Sequence, residues 1–356
     1  MSLNTVIFGP RSKEYIQEFL DLPSRIYARQ ELMQNEKDVR AILEGRHVLS
    51  HYFTVTPILV YEDGRAVSRV IITTYPDDGT AYLGFFESEN NSAAAGLLFH
   101  TAVGIIREQG LKRIVGPVDC SFWIKYRLKI NRFGNPYTGE PYNKDYYLRL
   151  WEENGFQVWE QYVSNHYKAV KSDENCEKYM ERLAKMLEAG YEIKSPKARE
   201  FRKTLKEVYG LLIELYKSFP AYKRITEREF RKLFKYLKSI LNFNMVKMAY
   251  HEGKAVGFFI SVPNFGNAIY GKIHLWELPN ILSQKKKPGS YVMLYMGVDA
   301  GHRGLGKAMA EAIRMELKTQ RVPSVGALIR SSNENRSYVG QLIDFEYEYV
   351  LLERRI

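Results

Sequence analysis

Met293-Leu-Tyr-Met-Gly-Val-Asp-Ala-Gly-His-Arg-Gly-Leu-Gly-Lys-Ala-Met-Ala310 is the stretch on which the rest of the chain turns. Its first six residues carry no charge and, apart from Gly297, are apolar or aromatic, the composition of a buried strand. Gly301, Gly304 and Gly306 follow. Leu305, Ala308, Met309, Ala312, Ile313 and Leu317 then recur at the spacing of one helix face. A strand that breaks into glycines and opens a helix aims several backbone N–H groups at one point, where the positive end of the helix dipole adds to them. Such a turn is an anion site, and glycine keeps side chains from holding a phosphate away from the backbone.

Val298, then Arg303-Gly304-Leu305-Gly306 opening a helix, resembles the pyrophosphate loop of the GNAT superfamily of acyl-CoA-dependent N-acyltransferases. The family pattern is Arg or Gln, two residues, Gly, one residue, then Gly or Ala. Gly304 and Gly306 fit it, whereas the Arg/Gln position falls on Gly301, a departure. The resemblance implies acetyl-CoA or another acyl-CoA as co-substrate, held by Met296, Val298, Gly301, His302, Arg303, Gly304, Leu305 and Gly306. It also implies that the polar turn after the next strand supplies Asn333 and Asn335 to the pantetheine or pyrophosphate arm.

Composition is that of a globular chain, with 45% hydrophobic and 26% charged residues over 356 positions, room for two domains. No run of eighteen apolar residues occurs, and the start has no signal-peptide core, so a cytoplasmic protein with no membrane partner is expected. Cys120 and Cys176 are the only cysteines and the histidines lack metal-ligand spacing, so neither a disulfide framework nor a metal is expected. The net charge of +11 favours anionic partners. Much of the excess lies on a helical segment over 194–238, where it reads as a solvated face, and Lys285-Lys-Lys287 reads as an exposed loop.

In the first half, strands are predicted over 5–9, 57–61, 66–74, 80–87 and 111–115, with helices over 13–20, 93–108 and 146–154 and a last strand or hairpin over 156–169. Asp63-Gly64 between the second and third strands is a hairpin turn. This is the GNAT order of elements. The turn after the central strand, Glu87-Ser-Glu-Asn-Asn-Ser92, has two carboxylates and no glycine, which implies a half that keeps the fold without the cofactor site. The loop over 116–155 is long and aromatic. Either it forms a substrate pocket, with Trp123, Tyr126, Arg127, Glu140 and Tyr142 as contacts, or it packs on the other half.

The second half restarts with helices over 173–189, 198–217 and 227–241 and a strand over 191–194. A hairpin joins 243–250 to 255–262 across His251-Glu-Gly-Lys254. Val60-Tyr-Glu-Asp-Gly-Arg-Ala-Val67 and Met248-Ala-Tyr-His-Glu-Gly-Lys-Ala-Val256 share turn chemistry and Ala-Val, so a duplicated domain is the economical reading. After the glycine turn come a strand over 324–329, a short helix over 336–343 and a last strand over 346–352. The expectation is an α/β chain with a mixed sheet, built as two tandem GNAT-like domains: 1–172, degenerate, and 173–356, with the acyl-CoA loop.

Acyl transfer from a thioester to an amine needs a neutral amine, a donor for the carbonyl oxygen and a proton for the departing thiolate. The resemblance assigns the second to backbone N–H groups of Met296 and Val298 and the third to Tyr338, with Tyr347 as a second candidate. Glu277, or His274 beside it, is the candidate base. The function expected is acetyl or acyl transfer from acyl-CoA to the primary amine of a small molecule or peptide. Two alternatives stand beside it: an aminoacyl-tRNA-dependent transferase, with tRNA as partner, and a non-catalytic CoA-binding or scaffold protein.

Overall fold

Two short hairpins show why the halves resemble each other. Strands β2 (Thr54–Glu62) and β3 (Arg65–Thr74) are joined by Asp63 and Gly64 at φ 48° and 83°. Strands β9 (Val246–His251) and β10 (Lys254–Pro263) are joined by Glu252 and Gly253 at φ 50° and 76°. Both are two-residue turns with positive φ at each position, the geometry whose twist matches the flanking strands. The computed structural model describes residues 2–171, 174, 176–271, 273–331 and 342–356.

The remaining strands are β1 (Leu3–Ile7), β4 (Thr80–Ser88), β5 (Arg113–Gly116), β6 (Leu128–Lys129), β7 (Gln157–Tyr167), β8 (Glu192–Lys194), β11 (Tyr291–Val298), β12 (Ser324–Arg330) and β13 (Ile343–Arg355). They form one mixed sheet in the order β1-β2-β3-β4-β5-β13-β7-β12-β11-β10-β9-β8, with β6 attached to β13. Each half contributes its last strand to the other. β13 fills the place between β5 and β7, and β7 fills the place between β13 and β12. The two halves therefore share one hydrogen-bonded sheet.

Helices cover both faces. On one lie α1 (Lys13–Ile26), α2 (Glu36–Leu43), α6 (Phe201–Leu215) and α7 (Glu227–Phe234), whose apolar residues join a single core cluster spanning both halves. On the other, α3 (Ser92–Glu108) and α4 (Tyr147–Glu152) cover the first half, with Phe99 and Trp151 buried between them. The second half is covered there by α10 (Leu305–Gln320), on which α5 (Glu177–Glu188) packs.

Some boundaries differ from the spacing. α1 runs on to Ile26 with Pro23 inside it, and the Pro23 carbonyl still accepts from the Tyr27 N–H. The helix expected over 227–241 breaks into α7 and α8 (Leu237–Ile240). The polar stretch after 27 holds α2, capped by the Asn35 side chain on Asp38 N–H. The lysines at 285–287 are no loop: Lys285 and Lys286 end α9 (Leu278–Lys286) and Lys287 caps it. Of the helix expected over 336–343, residues up to 341 lie outside the described residues, and Ile343 begins β13.

Candidate active site

β11 and β12 are parallel neighbours only over Tyr291↔Ser324, Val292↔Val325 and Met293↔Gly326. Beyond Met293 they part: β11 stays on β10, and β12 stays on β7 through Arg330. The Asp299 N–H bonds back to the Val256 carbonyl at 2.9 Å. Because backbone groups alternate sides along a strand, Val298 and Met296 turn theirs the other way, into the opening. The Tyr216 hydroxyl donates to the Met296 carbonyl there at 3.2 Å.

At the end of β11 the chain enters the glycine turn. The His302 N–H bonds the Asp299 carbonyl and the Leu305 N–H bonds the His302 carbonyl. The His302 ring is fixed by the Tyr191 hydroxyl, 2.8 Å from Nδ1. Gly304 caps α10 at φ 92°, a conformation that glycine adopts without strain, and no side chain closes the helix end. A Cβ on Gly304 would lie 3.2 Å from Met186 Cε and 3.3 Å from Arg182 Nη1, both on α5. The turn is thus a cradle whose helix end is capped by no side chain, with a guanidinium at its rim. That fits a diphosphate-bearing ligand such as CoA.

The opening belongs to a cavity of about 1120 Å³ that passes through the sheet. On the α10 side its wall includes Gly304, Gly306, Ala310 and the buried pair Glu311–Arg314 (Nε to Oε2 2.7 Å, Nη2 to Oε1 2.9 Å). On the opposite side it widens into a chamber walled by Phe122, Trp123, Tyr216, Phe219, Phe230 and Phe234, with Leu205, Val208 and Leu212 of α6. Of the cavity's carboxylates, Glu311 is committed to Arg314, and Asp344 to His166 and Lys168. The tyrosines are protonated donors at neutral pH: burial pushes Tyr295 up to about 12 and Tyr216 further still.

The equivalent place in the first half is filled by the chain itself. β4 and β5 pair only at Thr80↔Arg113, Ala81↔Ile114 and Tyr82↔Val115, then part in the same way. Residues 117–119 enter that gap: the Val118 N–H bonds the Leu83 carbonyl at 2.7 Å, and Asp119 Oδ1 accepts from the Phe85 N–H at 2.5 Å. A Cβ on Gly84 would fall onto the Val118 carbonyl, so glycine is required for the plug to seat. The helix end behind it is closed too, by Asn91 on the Ala94 N–H at 3.0 Å.

The residues expected to contact substrate separate into two groups. Trp123, Tyr126 and Arg127 line the cavity. The Trp123 indole donates to the Lys223 carbonyl at 2.6 Å, so the same loop also packs on the second half. Arg127, only 9% exposed, stacks on the rings of Tyr126 (3.7 Å) and Tyr162 (4.1 Å), and its Nε has no partner. Its backbone is left-handed at φ 99°, a strained state for a side chain of this kind. Glu140 and Tyr142 are corrected: neither lines the cavity. Glu140 is buried against Lys129 (2.6 Å) and the Tyr349 hydroxyl (2.6 Å), and the Tyr142 hydroxyl bonds Glu31 at 3.2 Å.

Glu277 is corrected as well. Its Oε2 accepts from the His274 N–H at 2.8 Å and its Oε1 from Arg29 at 2.6 Å, and it does not line the cavity. His274 stacks on Trp276 instead. Tyr347 packs its ring on Tyr137 and Phe345. Asn333, Asn335 and Tyr338 lie outside the described residues. Sequence reasoning missed Arg182, Tyr216 and the Glu311–Arg314 pair. Nothing in the spacing of α5 or α6 ties them to a glycine turn far along the chain; only the Glu311–Arg314 pair, three apart on a helix, carries a local signal.

No family model matches the chain. Among solved structures it is similar to a tandem GNAT protein from the clavulanic acid biosynthesis pathway, 12% identical, covering 99% of this chain and 98% of that one with TM-score 0.54. It is also similar to a conserved protein of unknown function from Enterococcus faecalis V583, described as a probable N-acyltransferase. That match is 13% identical, with 100% and 73% covered and TM-score 0.51. A curated relative, the bacterial ceramide synthase of Caulobacter vibrioides (strain NA1000 / CB15N), is 22% identical over 267 residues, 71% of this chain and 68% of that protein. The fold is that of the GNAT superfamily, in tandem.

Proposed function

We propose that the protein is an acyltransferase that moves an acyl group from acyl-CoA to a primary amine, with its active site in the second half. The observation that carries this reading is the continuous path from the glycine turn at 301–306, through the gap between β11 and β12, into the aromatic chamber. In this reading the turn, with Arg182 and Arg303, holds the diphosphate of CoA. The Met296 and Val298 amides hold the thioester oxygen, a role in which a fixed donor is worth several kcal/mol, about 3. The thioester supplies the activated acyl group. Asn333 and Asn335 contact the arm and Tyr338 protonates the departing thiolate.

The chamber favours an acyl group or acceptor with a sizeable apolar part, since acetyl alone would leave those aromatic walls facing water. The name of the Caulobacter relative, a ceramide synthase, agrees with an amide-forming transfer. The plugged gap in the first half supports a single cofactor site per chain. Calorimetric titration with acetyl-CoA and with a long-chain acyl-CoA tests this. One site per chain is expected, tighter for the longer chain; no binding of either would overturn the reading.

A further inference from the structure

Ile273, Leu275, Trp276, Leu278 and Leu282 are large apolar side chains left 42%, 83%, 72%, 43% and 57% exposed within ten residues. Scattered exposed leucines are ordinary; a run of this density is not. The segment is well formed rather than loose. The Glu277 carboxylate accepts from the His274 N–H and the His274 carbonyl from the Glu277 N–H, Arg29 pins Glu277, and α9 follows with Ile281 turned into the core and Leu278 and Leu282 turned out. The fold thus holds Leu275 and Trp276 outward on a fixed turn.

The stretches on either side of this ridge carry lysines and no carboxylate, while within it Glu277 is paired with Arg29 and near it Asp38 acts on Tyr236. Lys286 and Lys287 are exposed at the end of α9. Lys285 Nζ donates to the Ser239 carbonyl at 2.6 Å, which sets α9 against the segment where Lys235, Tyr236 and Lys238 are exposed. No Asp or Glu occurs at 278–298 or 230–251. The geometry points to a docking face for an anionic lipid bilayer, with Leu275, Trp276, Leu278 and Leu282 entering the interface and the lysines meeting lipid phosphates.

Three features favour this occupant. Protruding Leu and Trp flanked by Lys and Tyr is the make-up of an interfacial anchor, with apolar parts in the acyl boundary and cations at headgroup level. A second copy is a poor fit, because a two-fold contact would bring the same lysines against each other, and Glu277, the carboxylate within the ridge, is already paired with Arg29. The face also borders the chamber: α8, which Lys285 holds, contributes Leu237 to the cavity wall. An apolar substrate leaving a bilayer here would have little water to cross. The sequence led to the expectation of no membrane partner; with no helix among the described residues long and apolar enough to span, the contact proposed is peripheral.

The test is sedimentation of the full chain with vesicles of phosphatidylcholine alone and of phosphatidylcholine mixed with phosphatidylglycerol, at low and high salt, together with its mass in solution by light scattering. Co-sedimentation with the anionic vesicles only, weakened by salt, is expected. Leu275→Ser with Trp276→Ser, and separately Lys238→Gln with Lys286→Gln and Lys287→Gln, should each lower partitioning about ten-fold or more. All of these side chains lie on the surface, so the variants keep their unfolding transition. Absence of binding to anionic vesicles at low salt overturns the proposal, as does binding that neither variant weakens. Self-association abolished by the Leu275→Ser/Trp276→Ser change would make the face a protein interface instead. The readout needs no acyl transfer, so this proposal and the enzymatic reading fail separately.

Discussion

The Tyr216 hydroxyl reaches across from the end of α6 to donate to the Met296 carbonyl at 3.2 Å, in the gap where β11 has lost its parallel neighbour. A strand edge inside a protein is a row of backbone groups without partners, and each buried one left unmet costs free energy. Tyr216 meets one of these and, being in the same cavity, sets the edge that faces the ligand path. Tyr216→Phe is expected to lower stability by about 1 kcal/mol, read from the urea midpoint. If the Met296 edge takes part in transfer, kcat falls more than KM changes. An unchanged midpoint would show that the carbonyl finds another donor.

Gly304→Glu places a carboxylate in the cradle beside the helix end and a side chain at φ 92°. Acyl-CoA binding should be lost in a titration, at a stability cost of about 1 kcal/mol for the strained backbone. The matched change in the first half, Ser92→Glu, lies where Arg149 already bonds Ser92 and Asn90, and should leave affinity unchanged. Loss of binding in that variant too would overturn the single-site reading.

Arg182 stands at the rim of the glycine turn, and in the proposed reading it supplies the cation that position 301 lacks. Arg182→Ala should weaken CoA binding about ten-fold at low salt, with a smaller loss at high salt. A loss independent of salt would assign the arginine a packing role.

Arg127 is a buried guanidinium held by two tyrosine rings with no ion pair to a carboxylate among the described residues. Replacing a buried charge by an apolar side chain of similar volume is commonly neutral or stabilising. Arg127→Met is therefore expected to keep or raise the unfolding midpoint while lowering kcat/KM by about ten-fold or more, as for a group kept for a ligand. A large fall in stability with intact kcat/KM would show a structural residue instead.

Asp78 and Lys223 join the halves at 2.6 Å, next to the carbonyl that Trp123 binds. Burial raises the Asp78 carboxyl, but Lys223, the Tyr82 hydroxyl and the Thr80 amide hold it below the ordinary carboxylate range. A depressed folded value contributes stability above the unfolded pKa of about 3.9, and that contribution is lost as pH falls through the folded value. Asp78→Asn should cost about 1–2 kcal/mol at about pH 6, and the gap from wild type should close towards about pH 3. A gap that stays constant with pH would rule out the ion pair as its source.

The glycine turn, both hairpins and most strands were legible because their signals are local. Apolar runs, positive-φ turn residues and helix spacing depend on neighbours within a few positions. The lining of the candidate cavity was legible at Gly304, Gly306 and the strand ending at Val298, and in the aromatic loop at Trp123, Tyr126 and Arg127. Glu277 misled because a carboxylate near an acceptor region reads the same whether it caps a turn or faces a cavity. Glu140 misled because its partner Lys129 and the Tyr349 hydroxyl come from β6 and β13.

The sequence by itself determined two repeats of one fold and a glycine turn opening a helix in the second, since both follow from short-range sterics and periodicity. Only the tertiary structure decided that the halves exchange their last strands, that residues 117–119 plug the first gap, and that α6, α7 and residues 122–127 enclose a chamber behind the second. Those outcomes depend on which surfaces meet across a hundred residues or more. Burial and hydrogen-bond satisfaction settle that in space, with little trace in the local order of residues.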